Sequence, residues 1–283
     1  EVMADAGLGD IFLPYNILGK TKLERLLALH RRVTLSVTVD NAETLAGLTD
    51  TFADAGHRLQ VLVECDTGMG RCGVQSAAEA LALARDIDAA NGLSFGGLMT
   101  FPAPGRPDEA EDWLRGAKHA LLHAGLECLR ISSGGTPDMW RAAEETVITE
   151  YRPGTYIYMD RYQVAHGAAT LDDCALTVLA TVVSHPTATR AIIDAGSKAL
   201  SSDTMGLSDF GEVLGMPDAT VNGLSEEHGK LLLCGSANLR IGERVRIVPD
   251  HCCVVVNLFD QVHLISGEEV VKTLPVAARG LMA

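Results

Sequence analysis

From Asp10 to about Asp160 the chain alternates short β-rich runs with stretches of helical spacing, and this alternation restricts its fold more than any other feature. The strand candidates are residues 11–15, 33–39, 60–65, 96–101, 128–132 and 155–159. Between them lie the helix candidates 20–30, 42–55, 77–90, 107–124 and 137–144. Strands separated by helices of this length are βα units, and repeated βα units build a parallel sheet or a (β/α) barrel. Six strands are visible where a barrel needs eight. Residues 1–7 read as the second half of an amphipathic helix that ends at Gly7, with no N-cap before it. The expectation is therefore an α/β protein, a (β/α)8 barrel whose first units are missing, in a chain that lacks its true N-terminus.

After about Gln163 the pattern changes to strands with few helices. The candidates are 175–184, 191–194, 230–234, 244–248, 252–258, 261–265 and 268–274, and turns such as Ser266-Gly267 mark hairpins of an antiparallel β domain. The expected organisation is a partial barrel over residues 1–165 and a C-terminal β domain over 166–283. With 283 residues and 47% hydrophobic content the chain can bury cores of that size. A formal charge of −14 argues against nucleic acid and anionic membranes, because phosphate contacts would be made against the protein's own field. No apolar run approaches the roughly 20 residues of a membrane span, and no signal peptide precedes the first element. Seven cysteines without a disulfide-like rhythm fit reduced thiols, and the expected location is the cytoplasm.

Three places carry candidate chemistry. Ser132-Ser133-Gly134-Gly135-Thr136-Pro137 stands between a strand and a helix, where glycines let a ligand approach the backbone and free N–H groups favour an anion such as phosphate. Arg152-Pro153-Gly154-Thr155-Tyr156 opens the next expected strand and could add donors to the same anion; either segment could also be only a tight connection. The loop Asp66-Thr67-Gly68-Met69-Gly70-Arg71-Cys72-Gly73 carries Arg71, which can donate to an anionic ligand or close a surface turn. Near the C-terminus His251-Cys252-Cys253 begins an apolar, β-branched run. On a strand His251 and Cys253 share one face, could hold a divalent metal with coordination positions left open, and would leave Cys252 facing away. The competing reading of that pair is two ordinary half-buried strand residues.

Taken in order along one chain, these segments resemble the fold-type III pyridoxal-phosphate enzymes of the alanine racemase superfamily, in the branch of D-threonine aldolases and metal-dependent D-serine dehydratases. Asp194-Ala195-Gly196-Ser197-Lys198-Ala199 and Ser225-Glu226-Glu227-His228-Gly229 are similar to segments of its β domain. The resemblance implies pyridoxal phosphate held at its phosphate by Gly134, Gly135, Thr136, Gly154 and Tyr156, with Arg71 near the ring. It also implies a metal at His251 and Cys253. An imidazole with a thiolate favours zinc, with manganese the alternative. The implied activity is a lyase acting on D-β-hydroxy amino acids, by retro-aldol cleavage to glycine and an aldehyde or by dehydration to a 2-oxo acid and ammonia. Leu98-Met99-Thr100-Phe101-Pro102 leans to the aldolase side. A homodimer is implied as well. The family's Schiff-base lysine lies on the first barrel strand, upstream of Glu1, and neither Lys20, Lys22 nor Lys198 occupies its position. A non-catalytic cofactor-binding protein, a metal-free racemase and an inactive homologue are the rival readings.

Overall fold

The computed structural model describes residues 1–235 and 237–281, and its packing divides the chain into a unit comprising Glu1–Pro153 and a unit that begins at Gly154. The sequence reading draws its boundary after residue 165. The observed division places Gly154 and Tyr156 with the second unit.

In the first unit, after a short helix α1 (Val2–Asp5), strands and helices alternate: β1 (Asp10–Leu13), α2 (Lys20–His30), β2 (Thr34–Val39), α3 (Ala42–Phe52), β3 (Leu59–Cys65), α4 (Ala77–Ala89), β4 (Leu93–Thr100), α5 (Pro107–His123), β5 (Ile131–Ser133) and β6 (Glu150–Tyr151). The strands form one parallel sheet in sequence order, β1 to β6. Local chemistry sets the helix starts. Asn41 accepts the Thr44 N–H at 2.8 Å, Ser76 and Glu79 form a reciprocal capping box, and Pro107 opens α5 where its missing N–H is harmless.

Alternation along each strand gives the sheet two unlike faces. Leu35, Val37, Val39, Val61, Val63 and Leu98 pack into the apolar core with Leu48, Phe52, Leu83, Ile87, Leu114 and Leu121 of the helices. The opposite face carries Ser36, Gln60, Glu64, Ser132 and Glu150, paired across neighbouring strands by their register. Arg130 spans this face, donating to Ser36 Oγ at 3.0 Å, to Gln60 Oε1 at 3.2 Å and to Glu150 Oε2 at 2.9 Å, with its guanidinium 4.5 Å from the centre of the Phe12 ring. On this face Ser36, Glu64 and Ser132 are buried, Glu150 is half-buried and Gln60 is exposed, with Leu62 and Met99 buried among them. At the β4 bulge Gly97 has φ +128°, and a Cβ there would lie 1.9 Å from the Arg130 carbonyl oxygen, so only glycine fits.

Glu145, between β5 and β6, is half-buried, and burial together with the nearby negative charge of Glu111 pushes its carboxyl up to about 7. Such a group binds its proton more tightly in the folded chain, so its favourable contribution is complete below the ordinary carboxylate value and is lost as pH rises through about 7. Glu145→Gln is expected to match the wild type near pH 4 and to be more stable at pH 8 by about 1 kcal/mol, after discounting for solvent screening. Thermal denaturation of both proteins at the two pH values checks this, and a variant no more stable at pH 8 contradicts it.

The second unit opens with α6 (Arg161–Ala165) and contains β7 (Val178–Thr187), β8 (Arg190–Ile193), α7 (Ser197–Leu200), β9 (Glu212–Val213), β10 (Ala219–Leu224), β11 (Gly229–Leu233), β12 (Arg244–Val248), α8 (Cys252–Leu258), β13 (Gln261–Ser266) and β14 (Glu269–Pro275). Six of these strands close an antiparallel barrel in the order β10-β11-β8-β7-β12-β9, around Val182, Ile193, Val221, Leu231, Val245 and Ile247. β13 and β14 form a separate hairpin. The short strands β9 and β10 were not expected from the sequence.

Two expected strands are corrected. Residues 252–258 form helix α8, not a strand: the barrel is closed and offers no edge to another strand, Pro249 interrupts the chain after β12, and Cys252 and Val255, three residues apart, bury one helical face. Tertiary packing overrides the β propensity of the Val254-Val255-Val256 run. Residues 155–159 begin as a 3-10 turn (Thr155–Ile157), and the sixth strand of the sheet is instead the two-residue β6, ahead of Pro153.

Candidate functional site

Within the first unit, the chain leaves β5 through Gly134 and Gly135 into a 3-10 helix (Thr136–Arg141). Gly134 has φ +103°, and its Cα lies against the Tyr151 ring so closely that a Cβ would be 2.5 Å from the ring carbons. Burial pushes the Tyr151 phenol up to about 12, which keeps it protonated to donate to the Gly135 carbonyl at 3.1 Å. The turn is thus held from beneath. At Gly135 an added Cβ would meet only ordinary contacts, at 3.5 Å with the Phe101 ring. Thr136 is buried, and its hydroxyl has no hydrogen-bond partner. An orphaned hydroxyl beside two glycine N–H groups at a helix start fits a bound anion such as a phosphate.

The Arg71 guanidinium lies 4.8 Å from the centre of the Phe101 ring, the ring that Gly135 also approaches. Hydrogen bonds tie its loop. Asp66 accepts the Gly68 and Gly70 N–H groups at 3.0 Å each, Gly73 donates to Asp40 at 2.8 Å, and Val74 returns to bridge Cys65. Two residues that the sequence reading did not assign to the site complete this place, Glu64 and the Arg152 side chain. Glu64 is buried on the polar face with its carboxyl pushed up by burial, opposed by the charges of Arg71 and Arg152. Arg152 donates to the Thr100 carbonyl at 2.7 Å and to Ser132 Oγ at 2.5 Å, tying the ends of β4, β5 and β6 together; burial lowers it to about 10, still cationic at neutral pH.

In the second unit His251 is the N-cap of α8 and Cys253 lies in its first turn. The i, i+2 face of a strand is therefore not what relates them; the helix start does. Asp160 sets that start, accepting the Cys252 N–H at 2.9 Å with one oxygen and capping α6 through the Gln163 N–H at 3.1 Å with the other. Arg161 ties the preceding residue down through Asp250 at 2.5 Å and also pairs with Asp209. Cys252 is buried and Cys253 exposed. Hydrogen bonds from Cys252 and His251 lower the Cys253 thiol to about 4 against the effect of burial, and the same contact with Cys253, aided by Asp203, raises His251 to about 9. The Thr155 hydroxyl stands 3.8 Å from the Cys253 sulfur. This brings the Gly154–Tyr156 segment beside the pair; Gly154 has open space around its Cα and the Tyr156 ring is exposed. A thiol and an imidazole are donors that suit zinc. Among the described residues no group of three histidine, cysteine, aspartate or glutamate side chains is arranged to hold a metal ion.

Lys198 is held outside the barrel by Glu226 at 3.0 Å and Glu227 at 2.7 Å, and Lys20 faces Glu24 at 3.8 Å.

Residues 8–162 match the family model of the alanine racemase N-terminal domain, and residues 175–265 that of a serine dehydratase domain. The chain is 33% identical to D-threonine aldolase from an Arthrobacter species over 97% of its own length and 75% of that protein's. The crystal structure of D-threonine aldolase from Filomicrobium marinum superposes with a TM-score of 0.90 at 30% identity, covering 100% of this chain and 80% of that one. A cysteine-to-alanine mutant of D-threo-3-hydroxyaspartate dehydratase, solved in the metal-free form, gives 0.84 at 29% identity over 96% and 80% of the two chains. With an alanine racemase-type parallel sheet, a closed antiparallel barrel and relatives of this similarity, the chain belongs to the fold-type III pyridoxal-phosphate enzymes of the alanine racemase superfamily, in the branch that includes the D-threonine aldolases.

Proposed function

We propose that this enzyme is a lyase of D-β-hydroxy amino acids, dependent on pyridoxal phosphate and a divalent metal, that cleaves Cα–Cβ as a D-threonine aldolase does. The observation that carries the reading is His251 at the N-cap of α8 with Cys253 in its first turn, a donor set for which a simple racemase has no use. When bound, pyridoxal phosphate supplies an electron sink for charge developing at the substrate Cα, and a divalent ion supplies a Lewis acid for the β-hydroxyl. The backbone N–H groups of Gly134 and Gly135 and the unpartnered Thr136 hydroxyl would hold the phosphate; Gly154 and Tyr156 are assigned to the cofactor by the family resemblance alone. Arg71, on the loop held by Asp66, would supply a positive charge near the cofactor. His251 and Cys253 hold the ion, zinc by the softness of the thiolate, with manganese the alternative.

Dehydration to a 2-oxo acid and ammonia is the second reading, favoured by the match of residues 175–265 to a serine dehydratase domain. The same donor pair serves it. A homodimer and a cytoplasmic location belong to the proposal; all seven cysteines are free, and among the described residues no helix is long and apolar enough to cross a membrane.

The test is a product assay of the full-length protein with D-threonine, pyridoxal phosphate and either Zn²⁺ or Mn²⁺. Glycine and acetaldehyde are expected to form faster than 2-oxobutanoate. If 2-oxobutanoate and ammonia dominate, the assignment moves to the dehydratase; turnover of no D-β-hydroxy amino acid defeats both.

A further inference from the structure

The side chain most closely engaged with His251, apart from Cys253, comes from a segment to which nothing above gives a role. Asp203 Oδ2 lies 2.7 Å from His251 Nδ1. A carboxylate only accepts, so the hydrogen between them sits on Nδ1, and the lone pair of the neutral ring is left on Nε2. We propose that Asp203 is a positioning residue for the metal site: it fixes the tautomer and ring orientation of His251 so that Nε2 is the ligating atom. This rests on the metal reading given under Proposed function and deepens it.

The carboxylate is itself tightly placed. Its second oxygen, Oδ1, accepts the Met205 N–H at 3.3 Å, and its backbone N–H donates to Ser201 Oγ at 3.0 Å. Both flanking residues hold backbone conformations that side-chain-bearing residues seldom adopt, Ser201 at φ +67° and Met205 at φ +51°. Such a cost is retained where the surrounding structure over-determines it, and here the turn it produces delivers one carboxylate to one histidine.

The two β-domain segments that resemble the family but bear no chemical group of the site, one before and one after Asp203 in sequence, supply the support. Asp194 accepts the Thr181 N–H at 2.6 Å, anchoring the segment to β7. Gly196 lies so close to the next segment that a Cβ would sit 2.3 Å from the Ser225 carbonyl oxygen, and the N–H groups of Ser197 and Lys198 donate to the carbonyls of Ser225 and Glu226 at 2.8 and 3.2 Å. Lys198 closes the contact with Glu226 and Glu227. Residues 194–199 and 225–229 thus form a pinned platform from which α7 and the Ser201 turn carry Asp203 to His251.

Outer carboxylates on metal-bound histidines typically govern 10- to 100-fold of metal affinity. In the full-length protein, Asp203→Ala is expected to weaken zinc binding by such a factor in competition with a chromophoric chelator. Asp203→Asn, which keeps an acceptor oxygen, is expected to lose less than the alanine variant. Nitrogen-15 spectra of the zinc-loaded wild type are expected to show His251 protonated at Nδ1 and bound through Nε2. Zinc affinity unchanged in Asp203→Ala, equal losses in both variants, or zinc on Nδ1 would overturn the proposal while leaving the metal pair in place. A wild type that takes up no zinc and no manganese would instead overturn the metal reading, and this proposal with it.

Discussion

Purified Cys253→Ala and His251→Ala proteins are expected to bind zinc roughly a thousandfold more weakly than the wild type, about 4 kcal/mol. In the proposed site, losing either His251 or Cys253 leaves one of the two assigned donors, which cannot hold the ion against water. The loss should be larger than in a four-ligand site, where three donors survive. Lyase activity is expected to fall with the metal and to return only at high added metal concentration. Cys252→Ser is the control. Its thiol is buried and lies outside the donor pair, so the variant should keep its metal while losing about 1 kcal/mol of stability to a buried hydroxyl. Elemental analysis showing a full metal complement in His251→Ala would remove the assignment, and metal loss confined to Cys252→Ser would mean that the other thiol is the ligand.

Gly134→Ala is expected to lower pyridoxal-phosphate affinity about a hundredfold, or about 2.8 kcal/mol. Two costs combine at this residue: a positive φ of +103°, and a methyl group driven to 2.5 Å from the Tyr151 ring. Either the turn re-forms with its N–H groups misdirected, or Tyr151 gives way and releases the Gly135 carbonyl it holds. Gly135→Val separates geometry from occupancy. Its Cβ meets only ordinary contacts at 3.5 Å, so the turn should survive while the added methyl groups stand where a phosphate approaches, with at least a tenfold loss of affinity. Cofactor titration followed by absorbance reads both, with inorganic phosphate as a competing probe of the same cup. Unchanged titration in the two variants would move the phosphate site elsewhere.

Much of the fold could be read directly from the chain because its period is strong where its packing is simple. The helices at Lys20–His30 and Pro107–His123 and the strand Arg244–Val248 stand where the spacing and caps put them. Errors fall where tertiary context outweighs local pattern. The valine run of α8 has strand propensity, and only the closure of the barrel, a property of six strands far apart in sequence, denies it an edge. The site divides in the same way. Gly134, Gly135 and Arg71 announce themselves by residue type next to a strand end, whereas Asp203, Asp160 and Arg152 act across separations of 48, 92 and 52 residues and carry no local signature. A histidine two residues from a cysteine was visible. The geometry that relates them was not, because helix start and strand put different faces together.

Gly97 also bears on how tolerance to substitution should be interpreted in this protein. It holds no ligand and titrates nothing, yet every other amino acid would drive a carbon into the Arg130 carbonyl, beside the side chain that spans the polar face. In a saturation library selected for growth on the product of the reaction, Gly97 would be depleted as completely as Cys253. The two are separable by pairing that selection with a readout of protein abundance: variants at Gly97 should vanish from both, while variants at Cys253 should remain plentiful and merely inert.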